Sequence, residues 1–319
     1  MRLRSGHPSS VEIVRGRPRR VGYERVAQGL HVRTARPLER GERLQALTAV
    51  LPPAAAFTHL TAAAVRGWWL PRMVPHPVSV TVPLGERYPE RAGIRVTRLT
   101  SAPAAEVVDG LRLAPAAATL LALARDLGTL DLVLMADSAL RAGDCTLDSL
   151  ADAASGRRRG APALRAVLPL LDPRAESPWE SVLRVLHGAA EVEVVPQHEV
   201  RDDSGGFVAR ADLWLVGTRR IHEYDGGVHR DRDQHHRDLD RDRRLVEAGW
   251  QRCGYTAAAV LRGGARIIAS ADAVLGRSWE PHRLHAWQRL VAGSLHDAGT
   301  RARLVARWEL REDDRSRSL

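Results

Sequence analysis

Lysine is absent from the 319 residues, so all 48 basic side chains are arginine, and against 38 acidic residues they leave a net charge of +10. A guanidinium stays protonated at physiological pH and cannot act as a general base, but it forks onto carboxylate or phosphate, which points to an anionic partner, nucleic acid first. A GC-rich genome that favours arginine codons explains the same excess without any partner. Cysteine is scarce. Cys145 and Cys253 stand alone, without the paired spacing of a zinc site or a disulfide scaffold, and are expected to be reduced thiols. No apolar run approaches the ~20 residues that cross a bilayer, and the Pro/Ser/Arg text after Met1-Arg2-Leu3-Arg4 holds no apolar signal segment. With 44% hydrophobic and 27% charged residues, the chain is expected to be soluble and cytoplasmic, with no membrane partner. Its length suits about two domains, at roughly one per ~150 residues.

The first fifty residues hold eleven arginines against four glutamates, and residues 1–45 read as a basic segment, flexible up to about residue 20. From 46 to 151 the pattern suggests a small α+β domain. Leu47 to Val65 is helical in tone, broken by Pro52-Pro53 and closed by Gly67; Val78 to Val82 alternates as a strand with Gly93 to Thr97 as its partner; Pro115 to Arg141 reads as helix interrupted near Gly128. Residues 152–160, with Ser155-Gly156-Arg157-Arg158-Arg159-Gly160, are poor in apolar side chains and read as a linker.

Residues 161–278 are more regular. A helix over Ala163 to Leu171 precedes one opened by Ser177-Pro178-Trp179-Glu180, where Ser177 caps, Pro178 needs no backbone N–H and Glu180 completes a capping box. Strands are expected at Val192 to Val200, Phe207 to Val216 and Arg219 to Tyr224, joined by turns short enough for antiparallel hairpins. A polar helix over Asp231 to Ala248, a strand near Trp250 to Cys253 and further helix to Leu275 complete an α-β-β-β-α-β-α order. Residues 279–319 add a helix over Leu284 to Leu295 and a charged, frayed tail.

Asp212 lies inside a strand that otherwise reads as core, where a carboxylate needs compensation. Glu223 and Asp225, two apart on the next strand, share a face. If the hairpin sets Asp212 near Glu223, three carboxylates converge. Three anions repel one another unless a cation or proton sits among them, and oxygen ligands select Mg²⁺ or Mn²⁺. The competing expectation pairs each with a nearby arginine, Arg210, Arg219 or Arg220. His229, beyond Gly226-Gly227, is placed to face such a metal or carry a proton; His198, His222, His235 and His236 read as surface histidines. Residues 230–244 hold six arginines and five aspartates, in the main a solvated face with pairs such as Asp240 with Arg244. Arg237 and Arg241, one turn apart, are candidates for phosphate contact.

Ser177-Pro178-Trp179-Glu180, Arg184, Pro196-Gln197, Ala211-Asp212, Glu223-Tyr224-Asp225-Gly226, His229, Asp238, Arg241, Leu245 and Gly249-Trp250 together resemble the very-short-patch-repair-like branch of the PD-(D/E)XK endonucleases, over about residues 174–278. The resemblance implies an α/β fold whose C-terminal half is an αβββαβ restriction-endonuclease-like core, with Asp212, Glu223 and Asp225 holding Mg²⁺ for phosphodiester hydrolysis and Glu180 and Gln197 supporting the site. Asp225 stands where that family commonly has lysine, and Gly254 where similar proteins have arginine. His59-Leu60-Thr61-Ala62-Ala63-Ala64, Gly67 and Val78 to Val82 resemble more weakly the regulator portion of AbiEi-type abortive-infection antitoxins. Two functions are therefore expected: a metal-dependent endonuclease acting on DNA, or a non-catalytic nucleic-acid-binding regulator or antitoxin on a degenerate nuclease fold. The protein partner, a cognate toxin or a second copy of the chain, is left open.

Overall fold

The computed structural model describes residues 12–16, 22–71, 77–87, 91–100, 104–226 and 232–316, with 232–237 and 309–316 described as backbone alone. The chain forms two compact units, Met1–Leu127 with Cys145–Ala166 and Ala298–Leu319, and Gly128–Asp144 with Val167–Asp297.

In the first unit, β1 (Ile13–Arg15), β2 (Tyr23–Ala27) and β3 (Leu30–Arg33) form an antiparallel sheet in the order β1-β3-β2, followed by α1 (Arg40–Thr48). Part of the expected basic segment is thus a sheet, anchored by the buried Leu30 and Val32. A second sheet has the order β6-β5-β4-β8-β7, built from β4 (Ala56–Phe57), then, after α2 (His59–Arg66), β5 (Val78–Pro83), β6 (Ile94–Leu99), β7 (Glu106–Val108) and β8 (Leu111–Leu113). The two expected strand partners, β5 and β6, lie side by side in parallel. Gly67 ends α2 with φ +74°, in the left-handed region that glycine enters without a Cβ clash. Phe57, Ala62, Val65, Val80, Val96 and Leu113 are central to the core. α3 (Ala116–Leu123) follows.

α4 (Thr129–Arg141) belongs to the second unit, because Leu130, Leu132, Val133, Met135, Ala136 and Ala139 leave it almost no solvated face. The chain then returns to the first unit for α5 (Leu147–Ser155) and α6 (Ala161–Val167, whose last residue falls in the second unit). The expected linker 152–160 is corrected here. Asp152–Ser155 continue α5, whose Leu150 and Ala154 are buried and whose Thr146 caps the helix by accepting from Ser149 N–H.

The second unit carries the αβββαβ order. α7 (Pro178–Ala189) leads into β9 (Val194–Arg201), β10 (Phe207–Leu215) and β11 (Arg220–Tyr224), an antiparallel meander; α8 (Arg232–Glu247) crosses to β12 (Gln251–Tyr255), parallel to β11, giving the sheet order β12-β11-β10-β9. α7 packs on β9, β10 and β11, and α8 on β10 and β12. Val200, Val208, Ala209, Ala211, Ile221 and Leu245 form a core cluster joined by Trp214 and Trp250. α9 (Ala257–Arg262), α10 (Gly264–Val274) and α11 (His285–Ala292) follow. α12 (Ala298–Ser316) returns to the first unit. The expected frayed tail is helical there, because Leu304 and Trp308 are buried. Among the described residues no helix is long and apolar enough to cross a membrane.

Candidate functional site

Strand register gathers the predicted residues. Leu213 faces His222 across the β10–β11 hairpin, so the next step sets Asp212 opposite Glu223. Ala211 faces His198 and Leu213 faces Pro196 across β9–β10, which brings Gln197 opposite Asp212. Gln197 holds φ +53°, a left-handed conformation strained for a residue with a Cβ and often found where a side chain is re-aimed at a site. Its Nε2 donates to Glu180 Oε2 at 2.7 Å.

Ser177 caps α7 as expected, accepting from Glu180 N–H at 3.2 Å. The capping box is only half formed. Glu180 Oε2 accepts instead from the backbone N–H of Glu176, at 2.8 Å, and is shared with Gln197, so the carboxylate bridges helix and sheet. Trp179 stacks on Tyr224 with ring centroids 5.6 Å apart, tying the start of α7 to the end of β11.

Glu223 is buried and fully engaged. Arg241 of α8 grips both its oxygens, Nη1 donating to Oε2 at 2.9 Å and Nη2 to Oε1. Arg252 of β12 donates from Nε to Oε2 at 2.5 Å and from Nη2 to Asp225 Oδ1. Burial pushes the Glu223 carboxyl up, but the hydrogen bonds and charges of Arg241 and Arg252 outweigh it and hold it below the ordinary glutamate value. The bonds of Glu223 hold Arg241 above its own ordinary value. Arg241, expected on phosphate, is thus committed to Glu223 and, at 3.0 Å, to the carbonyl of Arg210. The arginines expected to neutralise the cluster lie elsewhere: Arg210 on Glu176, Arg219 on Asp203, and Arg220 on Ser270. Arg252 carries no sequence signal. Only the parallel pairing of β12 with β11, which sets Arg252 beside Ile221 and Gly254 beside Glu223, reveals it.

Asp212 differs. Its Oδ2 accepts from Tyr224 N–H at 2.9 Å. Burial, then the charges of Glu180 and Glu223, push its carboxyl up to about 7, against the opposing bond from Tyr224 and the charge of Arg241. As arranged, Asp212, Glu223 and Asp225 are not a ligand set, because the lone pairs a Mg²⁺ or Mn²⁺ ion needs on Glu223 point at two guanidinium groups. Among the described residues no group of three or more His, Cys, Asp or Glu is disposed to hold a metal.

His229 lies outside the described residues, as does the Arg237 side chain, although α8 carries its backbone. The Asp225 carboxylate explains Gly254: a Cβ there would stand 1.8 Å from Asp225 Oδ2, so β12 approaches only because this residue has no side chain. Asp240 pairs with Arg243 at 3.0 Å, not with Arg244.

His222, expected at the surface, is buried against α7. Its Nδ1 lies 2.9 Å from His187 Nε2, and His187 Nδ1 lies 2.7 Å from the carbonyl of Leu183. A carbonyl only accepts, so His187 donates from Nδ1, His222 donates to His187, and the Tyr255 hydroxyl, 3.3 Å from His222 Nε2, donates to His222. Burial holds both imidazoles neutral, His187 down to about 4. This chain of bonds fixes α7 on the sheet.

No family model matches the chain, and no curated protein matches it. Among solved structures it is similar to the crystal structure of the RV2827C protein from Mycobacterium tuberculosis, with 17% identity and a TM-score of 0.36 over 56% of this chain and 72% of that one. A likeness at that level carries no argument about fold or function.

Proposed function

We propose that the protein binds nucleic acid, duplex DNA in the first instance, and that its endonuclease-like core serves as a scaffold without cutting. The observation that carries this reading is the double engagement of Glu223 by Arg241 and Arg252, which supplies the counter-charge that a nuclease would take from a divalent cation. The positive charge of the chain, all of it arginine, supports an anionic partner. A second reading, metal-dependent hydrolysis, is favoured by Asp212 alone: it bears no direct guanidinium bond among the described residues, and Glu180 and Gln197 gather beside it.

Fluorescence anisotropy with labelled duplex DNA, single-stranded DNA and RNA, read from 50 to 200 mM salt and followed by gels in Mg²⁺, Mn²⁺ or EDTA, separates the two. The binder gives affinity that falls steeply with salt as counterions are released, and no cleavage. Cleavage that stops with EDTA, and that Glu223→Gln abolishes while binding persists, overturns it in favour of the nuclease. Absence of both binding and cutting rejects both readings.

A further inference from the structure

The Arg157-Arg158-Arg159-Gly160 segment, linker-like in sequence, is fixed in the first unit. Gly160 holds φ +93°, and a Cβ there would stand 2.4 Å from the carbonyl oxygen of Leu121, so only glycine lets this turn close against the end of α3. The closure sets Arg158 and Arg159, with Arg125, on the rim of a cavity of about 270 Å³. Arg157, Arg158 and Arg159 also line an adjoining open recess of about 510 Å³, and none of these three is paired with a carboxylate among the described residues.

The interior of the cavity has the opposite character. Leu99, Leu121, Ala118 and Ala122 make most of it apolar, and the polar exceptions are threonines at positions 58, 81 and 97 and His59. Thr81 is 5% exposed, and its Oγ1 has no hydrogen-bond partner among the described residues. A buried hydroxyl left in this state costs free energy unless something reaches it. His59, at the start of α2, holds φ +51°, a left-handed conformation that persists in a residue with a Cβ only where its surroundings impose it and that clusters at ligand sites. Such a cavity exceeds the ~150 Å³ that encloses a benzene ring, and the guanidinium groups of Arg158 and Arg159 at its rim match an oxyanion head.

We propose that this cavity is a binding site for a small amphipathic anion, with a ring-sized, largely apolar body inside and a phosphate or carboxylate head on Arg158 and Arg159. The site lies wholly within the first unit and is independent of the carboxylate cluster.

Isothermal titration of the full chain with phenyl phosphate, benzoate, inorganic phosphate and benzyl alcohol tests it. Phenyl phosphate or benzoate should bind one per chain, at least tenfold tighter than inorganic phosphate and benzyl alcohol, the better of the two defining the head group. Arg158→Ala with Arg159→Ala should weaken that binding at least tenfold. Ala118→Leu, which fills the cavity from α3, should abolish it while leaving the weak affinity for inorganic phosphate; Thr97→Met fills the same space from β6 if the first variant does not fold. Equal affinity for phenyl phosphate and inorganic phosphate, or full binding in a folded cavity-filled variant, overturns the proposal. So does a result in which no probe binds and the arginine variants lose affinity only for an oligonucleotide, because the rim would then be a backbone contact and the cavity empty of function.

Discussion

Asp212 and Glu223 face each other on one hairpin and are driven in opposite directions. Glu223 is held ionised by two guanidinium groups, whereas Asp212, without one, is pushed up to about 7. The carboxyl of Asp212 in the fold therefore keeps a proton between pH ~4 and 7 that the unfolded chain has lost, so its contribution falls as pH rises through that window. His187, held down to about 4, acts with the opposite sign: it favours the fold above the ordinary imidazole value, and that contribution is lost as pH falls towards 4. The two slopes offset one another in the parent protein, which makes a difference measurement the informative one. Asp212→Asn keeps an acceptor for Tyr224 N–H and cannot ionise. It should leave the melting temperature unchanged near pH 4 and raise it at pH 8, with ~4 kcal/mol as the upper bound; a constant difference across that range would mean that the carboxyl is not shifted. For Arg252, removal takes one of the two guanidinium groups from the buried Glu223, leaving Arg241 alone to balance it, and breaks the bond to Asp225. Arg252→Gln should cost about 2–4 kcal/mol in urea unfolding, against less than ~0.5 kcal/mol for Arg219→Gln at the exposed pair with Asp203.

Helix α7 shows how a local signal becomes a positional one. Ser177 and Pro178 start it, and the carboxylate of Glu180 leaves the expected box to reach Glu176 N–H and Gln197, so the helix start is pinned to β9. Ser177→Ala should cost about 1 kcal/mol as a lost cap, and Gln197 should move with it, visible as a shift of its side-chain amide resonance. Indifference of that resonance would show that the cap and the sheet are not coupled. The β11–β12 pairing depends likewise on Gly254. Gly254→Ala must displace the Asp225 carboxylate and break its bond to Arg252, so it should destabilise about as much as Asp225→Ala, and the two should be non-additive in a double-mutant cycle.

For the whole molecule, the units are discontinuous, which changes what a fragment can do. Residues 161–319 match the expected domain boundary but omit α4, whose Asp137 accepts from Ser181 at 2.6 Å and from Arg184 at 2.6 Å on α7 and from Asp172 N–H at 2.8 Å. Those donors would be left without their buried acceptor, and the apolar face of α4 would be missing from α7. A fragment spanning 128–297 should therefore unfold cooperatively in urea, whereas one spanning 161–319 should unfold at lower denaturant and bind hydrophobic dye. Equal stability of the two fragments would show that α4 is dispensable.

Short-range physics was written in the sequence. Turn residues between strand-like stretches marked β9, β10 and β11, the Ser-Pro start marked α7, Gly67 marked the end of α2, and two-residue periodicity put Glu223 and Asp225 on one face near Asp212. These depend on neighbours a few residues apart, whose side chains and backbone preferences can be read directly. Contacts across long loops could not be read in that way. Arg241 and Arg252 reach Glu223 from 18 and 29 residues away, and only the α8 crossover and the parallel register of β12 decide that guanidinium groups stand where the spacing suggested a metal. Burial was equally hidden: His222 lies beside Arg219, Arg220 and Glu223 in sequence and Asp137 is a carboxylate among apolar neighbours, and for both the environment is made by α7 packing on them. The arginine turn at 157–159 read as linker because its composition is polar, yet one glycine contact with Leu121 fixes it over a cavity. Sequence determined which elements form and which residues are chemically able; tertiary structure alone decided which charges meet, because that depends on how segments far apart along the chain are brought together.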